Sequence, residues 1–286
     1  MNEKILKTKS NGFAALFSIL LLLILSVVGF ISSIALIRNE GLQVVCILLC
    51  ILVFIGSLIL FGGLKVVKPQ EAIVLTLFGE YTGSIKEPGF YFVNPFSVSV
   101  NPAAKTKLGQ SGDVDRQSTP VTISTTGGVE ANLNALKNQI SLKIMTLNNS
   151  RQKINDCLGN PVEIGIAVTW RVVDTAKAVF NVDNYKEYLS LQCDSALRNI
   201  VRIYPYDVAP NVDTTGDGIA DEGSLRGSSE VVAKRIRDEI QARVENAGLE
   251  IIEARITYLA YAPEIAAVML QRQQASAIID ARKMIV

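Results

Sequence analysis

Two long uncharged stretches dominate the hydrophobic pattern of the chain, Phe13 to Ile37 and Leu42 to Leu64, and only Arg38, Asn39, Glu40 and Gly41 separate them. As helices rising 1.5 Å per residue they measure roughly 34 to 38 Å, enough to cross a hydrocarbon core of about 30 Å with some tilt. The first holds 17 Leu, Ile, Val or Phe residues and no Asp, Glu, Lys or Arg. Each such residue favours insertion by about 0.3 to 0.6 kcal/mol and each charge would oppose it by about 3 kcal/mol, so insertion wins. So short a link allows only a helical hairpin with both chain ends on one side. Lys4, Lys7 and Lys9 precede the first stretch and Lys65 and Lys68 follow the second, while the turn balances Arg38 with Glu40. By the positive-inside rule both ends are cytoplasmic. A cleaved signal peptide is the competing reading, but its apolar run is usually only about 7 to 15 residues.

After the hairpin the pattern changes to short alternating runs. Lys68-Pro69-Gln70 ends the helical run, and Glu71 to Phe78 reads as a strand buried on both faces, bounded by Gly79. Gly83, Pro88-Gly89 and Asn94-Pro95 punctuate two further short strands, the second at Phe90 to Val93. So many aromatics close to the second stretch fit contact with the bilayer surface, and equally fit a small antiparallel core; the two readings are compatible. Ala103 to Lys137 is rich in Ser, Thr, Gly, Asn and Lys and reads as an inserted surface loop. In Gln139 to Leu147, Ile140, Leu142 and Ile144 alternate with Ser141, Lys143 and Met145. In the next segment Val162, Ile164, Ile166, Val168, Trp170 and Val172 line one face of a strand, with Glu163, Thr169 and Arg171 on the other.

Helical periodicity follows. A short helix capped by Asp174 or Thr175 runs to Phe180, and Tyr185 to Ile203 repeats apolar residues at Leu189, Cys193, Ala196, Leu197 and Ile200. Ser229 to Ala247 carries Val232, Ile236, Ile240 and Val244 at steps of four, with Gly248 placed for a left-handed cap. Leu249 to Tyr258 alternates as a strand. Pro263 then opens a last helix whose stripe, Ile265, Val268, Ala275 and Ile279, interrupted by Arg272, is too thin for a globular core and suits a neighbouring helix. It runs to Val286 without a cap, as expected of a helix completed by copies of itself or by further chain.

Composition narrows the function. With 28 basic and 27 acidic residues and no basic cluster, nucleic-acid binding has no electrostatic footprint. There is no histidine, which removes Ser-His-Asp and Cys-His nucleophiles and histidine-held metals. Ser150 and Lys153 match a bare SxxK, the one foothold for a rival reading as a protease subunit with a Ser-Lys or carboxylate site; a lipid carrier is a third. Asp213, Asp217, Gly218 and Asp221 resemble part of a calcium loop, but Thr215 and Ser224 stand where ligands belong, and a solvated loop is the simpler reading. Cys46 and Cys50 stand one turn apart on the second apolar stretch, Cys157 and Cys193 are isolated without metal-ligand spacing, and all four read as free thiols. Neither a cofactor nor a metal is expected.

The stretches VKPQEAIVLTLFGEYTGSIKEPGFYFVNPF at Val67 to Phe96, GNPVEIGIAVTWRVVDTAKAVFNVDNY at Gly159 to Tyr185 and ARITYLAYAPEIAAVMLQRQQASAIIDAR at Ala254 to Arg282 resemble the stomatin, prohibitin and flotillin superfamily, also called SPFH or Band 7. The chain is similar to its bacterial type with two N-terminal transmembrane spans. The resemblance implies an α/β fold in three parts: a transmembrane hairpin at 1–64, a mixed α/β domain at 65–262 with a polar insertion at 103–137, and at 263–286 the start of a coiled-coil-like helix. It implies no enzyme and no catalytic residues. Expected instead is a homo-oligomeric scaffold of the cell membrane, multi-pass with its domain on the cytoplasmic side, forming rings or cages that organise microdomains and hold partners such as an AAA+ protease. The membrane-contacting segment of such proteins corresponds to Pro88, Gly89, Phe90, Tyr91, Phe92, Pro95 and Phe96, and their oligomerising helix to Ile265, Val268, Arg272, Ala275 and Ile279.

Overall fold

The computed structural model describes residues 3–6, 11–36, 40–106, 138–149, 151–207 and 223–285. Two apolar helices, α1 (Gly12–Leu36) and α2 (Glu40–Phe61), are both long and apolar enough to cross a membrane. Their buried hydroxyls are satisfied within their own helix: Ser26 donates to Leu23 O, Ser33 to Gly29 O and Ser57 to Phe54 O. That removes the cost of an unpaired polar group in hydrocarbon. Gly29 lets the helices approach, since a Cβ there would stand 3.0 Å from Cys50 Sγ.

The second helix ends three residues earlier than the apolar pattern predicts. At Gly62 and Gly63 the backbone turns, and Leu64–Val67 becomes a strand, β1, paired antiparallel with β4 (Gly89–Phe92). The cause is close backbone approach. Val93 N donates to Gly63 O at 2.9 Å, and a Cβ on Gly63 would lie 2.4 Å from Val93 O. Hydropathy cannot register this, because Leu64, Val66 and Val67 are as apolar as a span requires.

The chain forms two compact units. The first holds the hairpin, β1, β2 (Glu71–Leu77), β3 (Glu80–Ile85), β4, β5 (Val98–Ser99), β6 (Ile140–Ser141) and α3 (Thr175–Phe180). Its central strand, β2, pairs antiparallel with β3, β5 and β6 and is buried from Ala72 to Thr76, as its unbroken apolar run predicts. Val67, Ile73, Leu75, Ile85 and Tyr91 make its core.

The second unit is organised on β9 (Pro161–Val172), in which Val162, Ile164, Ile166, Val168, Trp170 and Val172 are all buried. One edge of β9 takes β7 (Met145–Asn148) along its C-terminal half and β8 (Gln152–Asn155) along its N-terminal half, and the other takes β10 (Leu249–Tyr261), all antiparallel. Helices α4 (Tyr185–Val201) and α5 (Ser229–Val244) bury the stripes expected of them. Asn184 caps α4 by accepting from the amides of Lys186 and Glu187. Gly248 takes the left-handed conformation, φ 69°, and its carbonyl accepts from the amides of Val173 and Asp174. Helix α6 (Pro263–Ile285) follows β10 directly.

One strand has the opposite phase to that expected. Ile140 is buried, but Ile144 is 59% exposed while Met145 and Leu147 face inward. The alternation breaks because the chain passes here from the first unit to the second, and each segment takes the phase of its own sheet.

Candidate functional site

Two surfaces carry the residues singled out by sequence, one in each unit. In the first unit both ends of the hairpin are seated on β4 and the turn after it. A Cβ on Gly12 would meet the Phe90 ring at 2.6 Å, and Phe13 meets that ring edge-on with centroids 5.2 Å apart. On the other helix, a Cβ on Gly62 would lie 3.5 Å from Pro95 O and one on Gly63 would lie 2.8 Å from the Phe92 ring. The strand therefore lies at the depth where α1 begins and α2 ends.

The segment expected to meet lipid divides at this point. Pro88 is exposed, Gly89, Phe90, Phe92 and Pro95 are half-buried, and Phe96 is 57% exposed. Tyr91 instead faces the core, where its hydroxyl donates to Glu87 O. Alternation along the strand explains the split. Sequence reasoning missed Phe78. The apolar run makes it the end of a buried strand, yet it sits at the turn in left-handed conformation, φ 51°, is 89% exposed and stacks on Phe96 with centroids 6.3 Å apart. The signal was its neighbour Gly79, since a hairpin turn there takes Phe78 out of the strand.

The second surface begins where β10 becomes α6. The amides of Ile265 and Ala266 both donate to Ala262 O, so Pro263 opens the helix at the position where a missing N–H costs nothing. Lys153 pairs with Glu264 at 2.5 Å, and its hydrogen bond holds the Glu264 carboxyl below the usual range. Tyr261 lies against Tyr206 with centroids 3.8 Å apart. Burial, then the Asp207 carboxylate beside it, pushes the Tyr261 phenol up to about 12, so it stays neutral. Gln273 donates to Asp207 at 3.0 Å.

Among its described side chains, the large apolar ones away from these contacts are exposed. Val268 is 63% exposed, Leu270 56%, Ile278 56% and Ile279 54%; Arg272 and Ala275 are exposed and Ile265 is half-buried. Alongside, β10 pairs only with β9 among the described residues, leaving its outer edge open. Between α5 and β10 runs a groove of about 540 Å³ whose walls include Lys234, Arg237, Ile252, Glu253 and Arg255.

The residues on which other chemistry was considered do not come together. Ser150 lies outside the described residues, and Lys153 is engaged with Glu264. The aspartates from 213 to 221 also lie outside them; Ser224 is buried and its hydroxyl accepts from the Gly227 amide. Burial raises the Cys157 thiol and pushes Cys193 up to about 12, away from thiolate chemistry. Among the described residues no three His, Cys, Asp or Glu side chains are placed to hold a metal.

A family model described as SPFH domain / Band 7 family matches residues 65–284. No curated protein matches the chain.

Proposed function

Because this chain belongs to the SPFH domain / Band 7 family, whose members are generally membrane-associated scaffold proteins and not enzymes, we propose that it assembles with copies of itself into rings or cages on the membrane. There it organises the surrounding lipids and holds or regulates membrane proteins, an AAA+ protease being one candidate. The observation that carries this reading is α6: an amphipathic helix fastened to its domain at one end and apolar on an open face beyond it. The open edge of β10 offers a second contact between copies, since an unpaired strand is a template for pairing.

In this reading the hairpin is the anchor and the domain lies at the cytoplasmic leaflet; the lysines flanking the hairpin support that orientation through the positive-inside rule. Phe90, Phe92 and Phe96, with Phe78 beside Phe96, meet the lipid surface. Support comes from their depth, level with the start of α1 and the end of α2. Aromatic rings bury apolar area well at that level.

Replacing Ile265, Val268 and Ile279 together with Asp tests assembly, read by light scattering and negative-stain imaging of the lipid-extracted protein. A fall from a large uniform particle to monomers or dimers, with the hairpin still inserted, is expected; an unchanged particle overturns the role of α6. For lipid contact, Trp placed at Phe90, Phe92 or Phe96 should be quenched by lipid-borne quenchers while the buried Trp170 is spared. Equal, water-like behaviour of all three would refute the contact.

A further inference from the structure

Ahead of α1 the chain carries Lys4, Lys7 and Lys9, and the four described residues at its start, Glu3 to Leu6, are docked. Glu3 to Leu6 lie along the edge of β3 that faces away from β2. Leu6 N donates to Ser84 O and Ser84 N to Lys4 O, each at 2.9 Å, so Ile5 and Ser84 form a parallel bridge. Lys4 and Ile5 point outward, while Glu3 and Leu6 point in.

Each inward side chain has a seat. Leu6 packs on the core of the first unit, and it fits because residue 83 is glycine: a Cβ there would lie 2.6 Å from Leu6 Cγ and 2.9 Å from Lys4 O. Glu3 is held by three donors. Lys86 Nζ pairs with Oε2 at 2.6 Å, and Oε1 accepts from Thr175 N at 3.0 Å and from Thr175 Oγ1 at 2.5 Å. The pair is largely shielded, with the Glu3 side chain 12% and the Lys86 side chain 21% exposed. Thr175 is fully buried, as is Ser84, whose Oγ lies 2.9 Å from Thr175 Oγ1 and 2.8 Å from Tyr81 OH. An ionised carboxylate only accepts. The single Thr175 hydroxyl proton therefore goes to Glu3, and the hydroxyls of Ser84 and Tyr81 align behind it.

From this arrangement we propose that the edge of β3 is a peptide-binding site that reads an extended segment bearing a carboxylate and, three residues on, a branched aliphatic side chain, and that the chain's own Glu3–Leu6 fills it as a removable clasp. Backbone pairing supplies the generic part of such strand addition and the two seats supply the selectivity. Among the described residues two backbone-to-backbone hydrogen bonds pair the segment with β3, and Lys4 N donates to Tyr81 OH at 3.3 Å. Belonging to the same chain adds to these seats, since a tethered segment faces its site at an effective concentration of about millimolar. Held so, the clasp ties the start of α1 to the sheet that follows α2.

The test uses the full-length protein in lipid nanodiscs and a fluorescent peptide with the sequence MNEKILKT, followed by anisotropy. The intact chain should take up little peptide, because its own segment competes. A Glu3→Lys, Leu6→Asp chain should bind the peptide saturably. Adding Lys86→Glu to that chain should weaken binding at least tenfold, and a peptide carrying Glu3→Lys should recover it. Hydrogen exchange at the Ser84 amide gives a second readout that does not depend on peptide affinity: release of the clasp should speed exchange at least tenfold, and saturating peptide should slow it again. Equal binding of a scrambled peptide, or exchange unaffected by the double substitution, would overturn the proposal.

Discussion

Helices α5 and α6 belong to one unit and look alike as sequences, each charged on most faces with a repeating apolar stripe. In α5 the stripe is Val232, Ile236, Ile240 and Val244, and every one of these is fully buried. In α6 the corresponding large apolar residues, Val268, Leu270, Ile278 and Ile279, are all more than half exposed. One difference lies in what surrounds them. Helix α5 crosses β10 and packs on α4, where Tyr188 donates to Arg243 O and Arg243 donates to Ser195 Oγ. Helix α6 leaves the sheet after its first turns, tied by Lys153, Asp207 and the Tyr206–Tyr261 pair. Spacing matters too. Steps of four give α5 one continuous ridge, whereas Arg272 interrupts the stripe of α6. A helix whose apolar face finds no cover in its own chain is available to a second chain.

Substitutions in the two helices should therefore fail in different ways. Ile236→Asp should cost about 4 kcal/mol or more, because it buries an unpaired charge, and thermal unfolding should show the second unit no longer folded. Ile240→Ala removes only packing and should cost about 2 to 5 kcal/mol. Gly248→Ala, which forces a side chain into the left-handed turn joining α5 to β10, should cost about 1 to 2 kcal/mol in denaturant unfolding. By contrast Val268→Asp should change stability by no more than about 0.5 kcal/mol while shifting particle size. A loss of stability as large as that of Ile236→Asp would mean that α6 is covered within its own chain, and the contrast would fail. Last and smallest, Cys193 on α4 should resist alkylation at pH 8 in the folded protein and react only on unfolding, since its thiol is buried and its pKa lies at about 12.

Much of this was legible in the residues. The hairpin follows from length and absence of charge, properties that need no partner to act. The buried face of β9 and the stripes of α4 and α5 follow from period alone, because a strand or helix presents fixed positions to one side. Phe78 and Tyr91 show where such reasoning stops. Both are aromatic residues in apolar runs that read as strands, yet one is 89% and the other 3% exposed. Period says which side chains share a face; only the packed neighbours say whether that face is covered.

The amino-acid sequence by itself determined the two long apolar helices, the strands β9 and β10 and the helices of the second unit, and membership of the family, each resting on local pattern or on residues in fixed order; β8 was not among the strands it predicts. Tertiary structure alone decided the rest. Where α2 stops, how β7 is phased and where Glu3 to Leu6 dock all depend on two distant backbones approaching within hydrogen-bonding distance. The glycines that permit this, Gly63 against Val93 and Gly83 against Leu6, carry no sign of their partner in the sequence. A missing side chain becomes informative only when something occupies the space it leaves.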